Sequence, residues 1–160
     1  MKKRSQLISF KDGITLESGH TLNSFDLMIE SYGKLNESKS NAILLCHAFS
    51  GNHHVVGEDK ELGAGWWDQI VGPNKAIDTN KYFVVCCNNL GGCAGSSGPN
   101  TINPVTNKIY GSKFPQVSTQ MVNYHYHVCV VDKKTNYQRV LLPLQPKGYL
   151  LPLFQGEYYK

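Results

Sequence analysis

Apolar and polar positions alternate along residues 25–32, with Phe25, Leu27 and Ile29 set against Asp26, Met28 and Glu30. A period of two sends the sets to opposite sides of a strand, so this stretch predicts a strand with one wetter face. Residues 42–46, A-I-L-L-C, form an unbroken apolar run. It is too short for a typical helix, and it reads as a strand buried on both faces. Lys81-Tyr82-Phe83-Val84-Val85-Cys86-Cys87 predicts a second apolar strand. A short strand is predicted over residues 6–11, with Asp12-Gly13 as a hairpin turn and residues 14–17 continuing the hairpin. A further turn is expected at Ser18-Gly19-His20. Residues 66–71 predict a short helical turn ended by Gly72-Pro73, and residues 128–131 a short strand.

Between these elements the chain is rich in turn residues. Residues 50–65 carry Gly51, Gly57, Gly63 and Gly65 with His53 and His54 and read as a long loop. Residues 88–107, N-N-L-G-G-C-A-G-S-S-G-P-N-T-I-N-P-V-T-N, make another. A loop of that length inside a domain is usually functional or disordered. From residue 119 the texture changes. No alanine follows Ala94, six of the 9 tyrosines lie in 119–160, and Pro143, Pro146 and Pro152 interrupt any regular element. This divides the chain into 6–118 and a divergent, poorly ordered tail at 119–160, the texture expected of a shifted reading frame.

Composition narrows the function classes. The 160 residues are 41% hydrophobic and 18% charged, enough for one domain with a core. A net charge of +4 without a basic block beyond Lys2-Lys3-Arg4 gives no reason to expect nucleic acid as a partner. No segment has the length of apolar sequence that a membrane helix needs, and Leu7-Ile8-Ser9-Phe10 is too short for a signal peptide. A cytoplasmic location without membrane attachment is expected. The 5 cysteines include the adjacent pair Cys86-Cys87 and no C-x-x-C, so buried thiols are expected rather than disulfides or zinc.

Several residues carry candidate chemistry. The run 42–46 stops at His47-Ala48-Phe49-Ser50-Gly51. In open α/β sheets ligands bind just beyond the carboxyl ends of strands, so this turn is the first candidate for a site. His53-His54 lacks the helical spacing of paired metal ligands, and no metal is expected. Cys93 is a candidate nucleophile only if a histidine or helix terminus lowers its pKa. The glycine-rich stretch 91–98 fits neither dinucleotide nor P-loop spacing. Trp66-Trp67 is expected to pack on the sheet.

Other residues occur as an ordered series: Tyr32-Gly33-Lys34-Leu35-Asn36, Cys46-His47-Ala48, Trp66-Trp67-Asp68, Ile77-Asp78-Thr79, Asn89-Leu90-Gly91-Gly92-Cys93, Gly95-Ser96-Ser97-Gly98-Pro99, Ile102-Asn103-Pro104, Tyr110-Gly111 and Phe114-Pro115. The series resembles the amino-terminal part of homoserine O-acyltransferases, chiefly homoserine O-acetyltransferase of methionine biosynthesis. The resemblance implies an α/β fold, specifically an α/β-hydrolase fold truncated after the first strands of its sheet. It implies acetyl (or succinyl) transfer from coenzyme A to L-homoserine through an acyl-serine, with acetyl-CoA as cosubstrate and no permanently bound cofactor. It also implies a homodimer. By the same resemblance the backbone N–H of Phe49 belongs to an oxyanion hole, and His47, Ala48, Ser50 and Gly51 line the site.

The rest of that machinery is not found. The 160 residues contain no Gly-x-Ser-x-Gly, and Gly95-Ser96-Ser97-Gly98 is one residue short of it and follows the wrong strand. None of the Ser-Asp-His triad is expected here, and His125, His127 and Asp132 match no family motif. The polypeptide on its own is therefore expected to be inactive. The alternative expectation is a non-enzymatic binding partner of a full-length relative.

Overall fold

A computed structural model describes residues 1–48 and 50–117 together with the backbone of 129–131. Along the chain stand β1 (Lys3–Phe10), β2 (Ile14–Thr15), β3 (Thr21–Leu22), β4 (Phe25–Tyr32) and β5 (Ala42–Leu45). After them come β6 (Glu58–Asp59), β7 (Gly63–Ala64), β8 (Val71–Gly72), β9 (Ile77–Asp78) and β10 (Phe83–Cys87). The last are β11 (Ile102–Asn103), β12 (Lys108–Ile109) and β13 (Cys129–Val131), with one 3₁₀ turn at Gly111–Lys113.

Five strands form the main sheet in the order β1-β4-β10-β5-β13. β4 runs antiparallel to both β1 and β10, whereas β10 and β5 are parallel, with Phe83 opposite Ala42 and Cys86 opposite Leu45. β10 thus enters between two strands that precede it, and β5 is placed on its far side. β13 closes the outer edge of β5 in antiparallel register, with Cys129 opposite Leu44 and Val131 opposite Ala42. The expected strand at 128–131 is present as a three-residue pairing and gives the sheet an edge partner from the divergent tail. The expectation of poor order over the rest of 119–160 lies outside the described residues.

The apolar run of β5 has a direct physical cause. Ile43 and Leu45 join Tyr32, Val84 and Cys86 on one face, and Leu44 joins Leu27, Ile29 and Val85 on the other. With neither face in water, no polar position is tolerated, and each such side chain contributes about 1.5–3 kcal/mol on burial. The first face is covered by Val55, Val56 and Val71, with Trp67, Ile77 and Tyr82 against them. The loop connecting β5 to β10 therefore acts as the lid of the core.

Some expectations are corrected. Residues 14–17 do not continue a hairpin from β1, whose partner is β4 over its whole length, from Lys3 opposite Tyr32 to Phe10 opposite Phe25. β2 pairs with β3 instead, around the turn where the Gly19 N–H donates to the Leu16 carbonyl. Residues 66–71 do form the expected single helical turn, closed by bonds from the Ile70 and Val71 N–H groups to the Trp67 carbonyl, and it does not extend into a helix. Trp67 packs on the core as expected, while Trp66 is partly exposed and donates its indole N–H to the Asn52 carbonyl at 3.0 Å. The wetter face of β4 is also dry where Glu30 sits, at 1% exposure.

Gly33 ends β4 with φ +82°, and a Cβ there would come within 2.4 Å of the Tyr82 carbonyl oxygen and 2.6 Å of that of Thr79. Left-handed backbone and this close approach both require glycine. Among the described residues no helix is long and apolar enough to cross a membrane.

Candidate active-site half

The turn after β5 and the loop after β10 meet at the carboxyl ends of these two parallel strands. His47 is buried at 4% exposure, and its Nδ1 lies 2.7 Å from the Ala48 carbonyl oxygen. The Gly51 N–H donates to that same oxygen at 2.7 Å and closes a tight turn. His47 therefore shapes the turn, as its position suggests, and Ala48 and Ser50 are exposed on it. Phe49, the expected oxyanion donor, lies outside the described residues.

Ser50 and Gly51 form one wall of a cavity of about 670 Å³. The facing wall runs from Asn88 to Ala94, and Phe114 to Val117 form a third side. Of the expected site residues, His47 and Ala48 do not reach the cavity. Its volume lies in the range of roughly 300–1,000 Å³ common for small-molecule sites. Among the described residues no charged side chain lines it.

The glycine-rich loop is held by serines rather than by its glycines. The Asn88 N–H donates to the Met28 carbonyl at 2.8 Å, extending the ladder of β4 past the end of β10. The Met28 N–H then donates to Ser96 Oγ at 3.0 Å, and Ser96 Oγ–H donates to the Asn88 carbonyl at 2.8 Å. The Ser97 N–H donates to the Asp26 carbonyl at 2.8 Å, and Ser97 Oγ accepts the Asp26 N–H at 2.9 Å. With Ser96 at 0% exposure, Gly95-Ser96-Ser97-Gly98 is a structural splice, not a nucleophile turn. Cys93 is exposed on the cavity wall, but among the described residues no histidine lines that cavity to activate it. The thiol of Cys86 is buried in the core, and burial pushes its pKa well above the ordinary range. Cys86, Cys87 and Cys93 are free thiols.

The largest polar constellation was not visible in the sequence. Glu30 Oε1 accepts from Lys3 Nζ and Ser5 Oγ, each at 2.9 Å, and Glu30 Oε2 receives the Tyr32 hydroxyl. His54 Nδ1 lies 3.0 Å from Glu30 Oε2, and His54 Nε2–H donates to the Gly57 carbonyl at 3.1 Å. Tyr32 Oη in turn accepts the N–H groups of Val55 at 2.9 Å and Val56 at 3.2 Å. Burial alone raises the pKa of Glu30, but donation from Tyr32, Lys3, His54 and Ser5 outweighs it and holds the carboxyl below its ordinary value. The cluster ties the segment leaving the turn to β1 and β4. The one sequence signal was Tyr32 two residues after Glu30 on the same strand face, an aromatic on the face read as wet. His53 is buried as well, and burial lowers its pKa. Among the described residues no three His, Cys, Asp or Glu side chains gather as metal ligands.

Comparison with known proteins bears out the resemblance seen in the sequence. The chain is 54% identical over 119 residues to homoserine O-succinyltransferase of Psychrobacter arcticus, covering 72% of this chain and 27% of that protein. The chain thus spans well under a third of the length of this relative. Among solved structures, homoserine O-acetyltransferase from Bacillus anthracis superimposes with a TM-score of 0.65 at 38% identity, over 76% of this chain and 34% of the other. Esterase E22 gives the same TM-score of 0.65 at 33% identity, over 76% of this chain and 35% of its own. The fold is that of an α/β-hydrolase, represented by part of its sheet. No family model matches the chain.

Proposed function

We propose that residues 1–117 form the oxyanion side of a homoserine O-acyltransferase site of methionine biosynthesis. The substrates are L-homoserine and an acyl-coenzyme A, with no permanently bound cofactor, and the location is cytoplasmic. The supporting observation is the meeting of the β5 turn with the β10 loop around one cavity, in a chain 54% identical to a homoserine O-succinyltransferase over 119 residues.

Attack on a thioester carbonyl places negative charge on its oxygen, and fixed backbone N–H donors in a water-poor site stabilise that charge. The Phe49 N–H is the donor this chain contributes. The attacking serine and the N–H following it are not supplied by these 160 residues, which lack Gly-x-Ser-x-Gly. The polypeptide on its own is therefore inactive, and in an intact acyltransferase the same segment works within a homodimer.

The test is a chimera in which residues 1–117 replace the corresponding segment of the Psychrobacter arcticus protein. It is assayed for O-acylhomoserine formation with acetyl-CoA and with succinyl-CoA. Turnover by the chimera and none by the 160-residue chain is the expected result, and the better donor identifies the acyl group. A folded but inactive chimera overturns the assignment, and turnover by the 160-residue chain overturns its inactivity.

A further inference from the structure

β1 stands at one edge of the main sheet, with β4 on its inner side. Its register with β4 runs unbroken from Lys3 opposite Tyr32 to Phe10 opposite Phe25, so no bulge turns the edge away. None of its residues is proline. The Gly33 N–H donates to the Lys2 carbonyl at 3.0 Å, which fixes the alternation of the ladder. Lys2, Arg4, Gln6, Ile8 and Phe10 bond inward to β4, and the backbone groups of Lys3, Ser5, Leu7 and Ser9 point outward. Such a row of outward donors and acceptors is a template for a further strand.

The approach to that row is open, because Lys3, Ser5, Leu7 and Ser9 are all exposed. Three of them turn their side chains back over β4. Lys3 Nζ and Ser5 Oγ bond to Glu30 Oε1, and Ser9 Oγ–H donates to Asp26 Oδ1. An edge lysine ordinarily repels an incoming strand, but here Glu30 matches its charge. Leu7 places an apolar side chain in the middle of the edge at 51% exposure.

The order of charges selects the occupant. Lys2, Lys3 and Arg4 gather at one end of the strand. A second copy running parallel would set these cations side by side, whereas an antiparallel copy carries them to opposite ends. A twofold axis at Gln6 matches every outward residue with an outward residue, Lys3 with Ser9 and Ser5 with Leu7, and sets no two charges of β1 opposite each other. It also makes the two Leu7 side chains diagonal neighbours on one face. An axis at Leu7 would set Lys3 against Lys11. β13 covers the outer edge of β5, so the pairing closes at two copies.

We propose that β1 is an interface between two copies of this chain, joined antiparallel about a twofold axis at Gln6 into one continuous sheet. This goes beyond the acyltransferase reading, because β4 separates this edge from β10 and its cavity. It is tested without turnover, so the two stand or fall separately.

The experiment is sedimentation equilibrium of the 160-residue chain over a range of concentrations. A reversible transition to twice the mass of one chain is expected. Leu7→Pro removes an outward N–H and no bond to β4, which an edge strand tolerates. It is expected to raise the dissociation constant of the dimer about tenfold or more, with the circular dichroism spectrum unchanged. The register is read in a Cys93→Ser background, which lacks the exposed native thiol, with oxidised glutathione as oxidant. Residue 6 faces itself across the axis in a pair that exchanges no backbone bonds, where side chains come closest. Gln6→Cys is therefore expected to give a disulfide-linked dimer, and Ser9→Cys, which faces Lys3, no more than the background. A chain that stays monomeric at every concentration overturns the proposal. So does a folded Leu7→Pro chain that dimerises as tightly as the original, or crosslinking of Ser9→Cys as readily as of Gln6→Cys. The crosslinking pair contains no proline, so it decides the matter even where Leu7→Pro disturbs folding.

Discussion

Glu30 and His54 are 24 residues apart in sequence and meet in the interior, with His54 Nδ1 3.0 Å from Glu30 Oε2 and both side chains at 2% exposure or less. Around them Lys3, Ser5 and Tyr32 complete a set that fastens the segment after the β5 turn to two strands of the sheet.

Glu30→Leu removes the acceptor shared by four donors. His54 and Tyr32 are too deeply buried to find water, while Lys3, at 30% side-chain exposure, can turn outward. The expected loss is about 3 kcal/mol, the low end for breaking a buried ion pair. Urea denaturation checks it, and a loss below about 1 kcal/mol would place the cluster among ordinary surface pairs.

Tyr32→Phe keeps the ring in the core but removes the oxygen that accepts both the Val55 and Val56 N–H groups. Each orphaned donor costs about 1–3 kcal/mol. Amide hydrogen exchange at residues 55 and 56 should accelerate more than exchange along β10, and uniform acceleration would argue against a local anchor.

The pH dependence has two steps of the same sign. Burial lowers the pKa of His53 below its ordinary 6.5, so the unfolded chain takes up that proton first. Stability therefore falls as pH drops from 6.5 through the folded-state value. Glu30 is held below its ordinary 4.5, so its contribution, complete above 4.5, is lost as pH falls through its own lowered value. Urea midpoints measured from pH 8 to 3 should show both steps. His53→Gln should remove the upper one, and Glu30→Gln should shrink the lower, to which Asp59, Asp68 and Asp78, held below their ordinary value chiefly by backbone N–H donors, also contribute.

Gly33→Ala and Gly19→Ala place the same methyl group on left-handed backbone in opposite surroundings. At Gly19, φ +80°, nothing lies within 4 Å, whereas at Gly33 two carbonyl oxygens lie within 2.6 Å. The first should cost about 1 kcal/mol and the second clearly more, in a comparison of melting temperatures. Equal costs would mean that the approach of Tyr82 and Thr79 to Gly33 is readily relaxed.

Much of the architecture could be read from the chain because its strongest signals are local. Phe25–Tyr32 was bounded by its alternation and by Gly33, and β5 by an apolar run that only burial on both faces explains. The turn after β5 was legible for the same reason, since it is where that run stops. What stayed hidden depends on distant partners. The pairing of β1 with β4 is decided by registry across the intervening β2 and β3, and strands of two residues have no period to detect. Glu30 looked solvent-facing because its partners Lys3 and His54 come from segments on either side of β4 in the sequence. Asn88 stood inside a stretch read as functional or disordered, but a buried amide without a partner among the described residues is a property of packing and leaves no mark on spacing.

The insertion of β10 between β4 and β5 has a consequence for how this protein is made. Translation proceeds from the amino terminus, so β1, β4 and β5 leave the ribosome before the strand that must join them exists. At that stage β5 has neither the parallel neighbour on one side nor the antiparallel neighbour on the other. Its four buried residues wait as an unpaired apolar segment until Phe83–Cys87 emerges. The nascent chain is thus most prone to association with chaperones or with other copies during one interval of synthesis, and slowing translation through the codons of the β5–β10 loop would lengthen it.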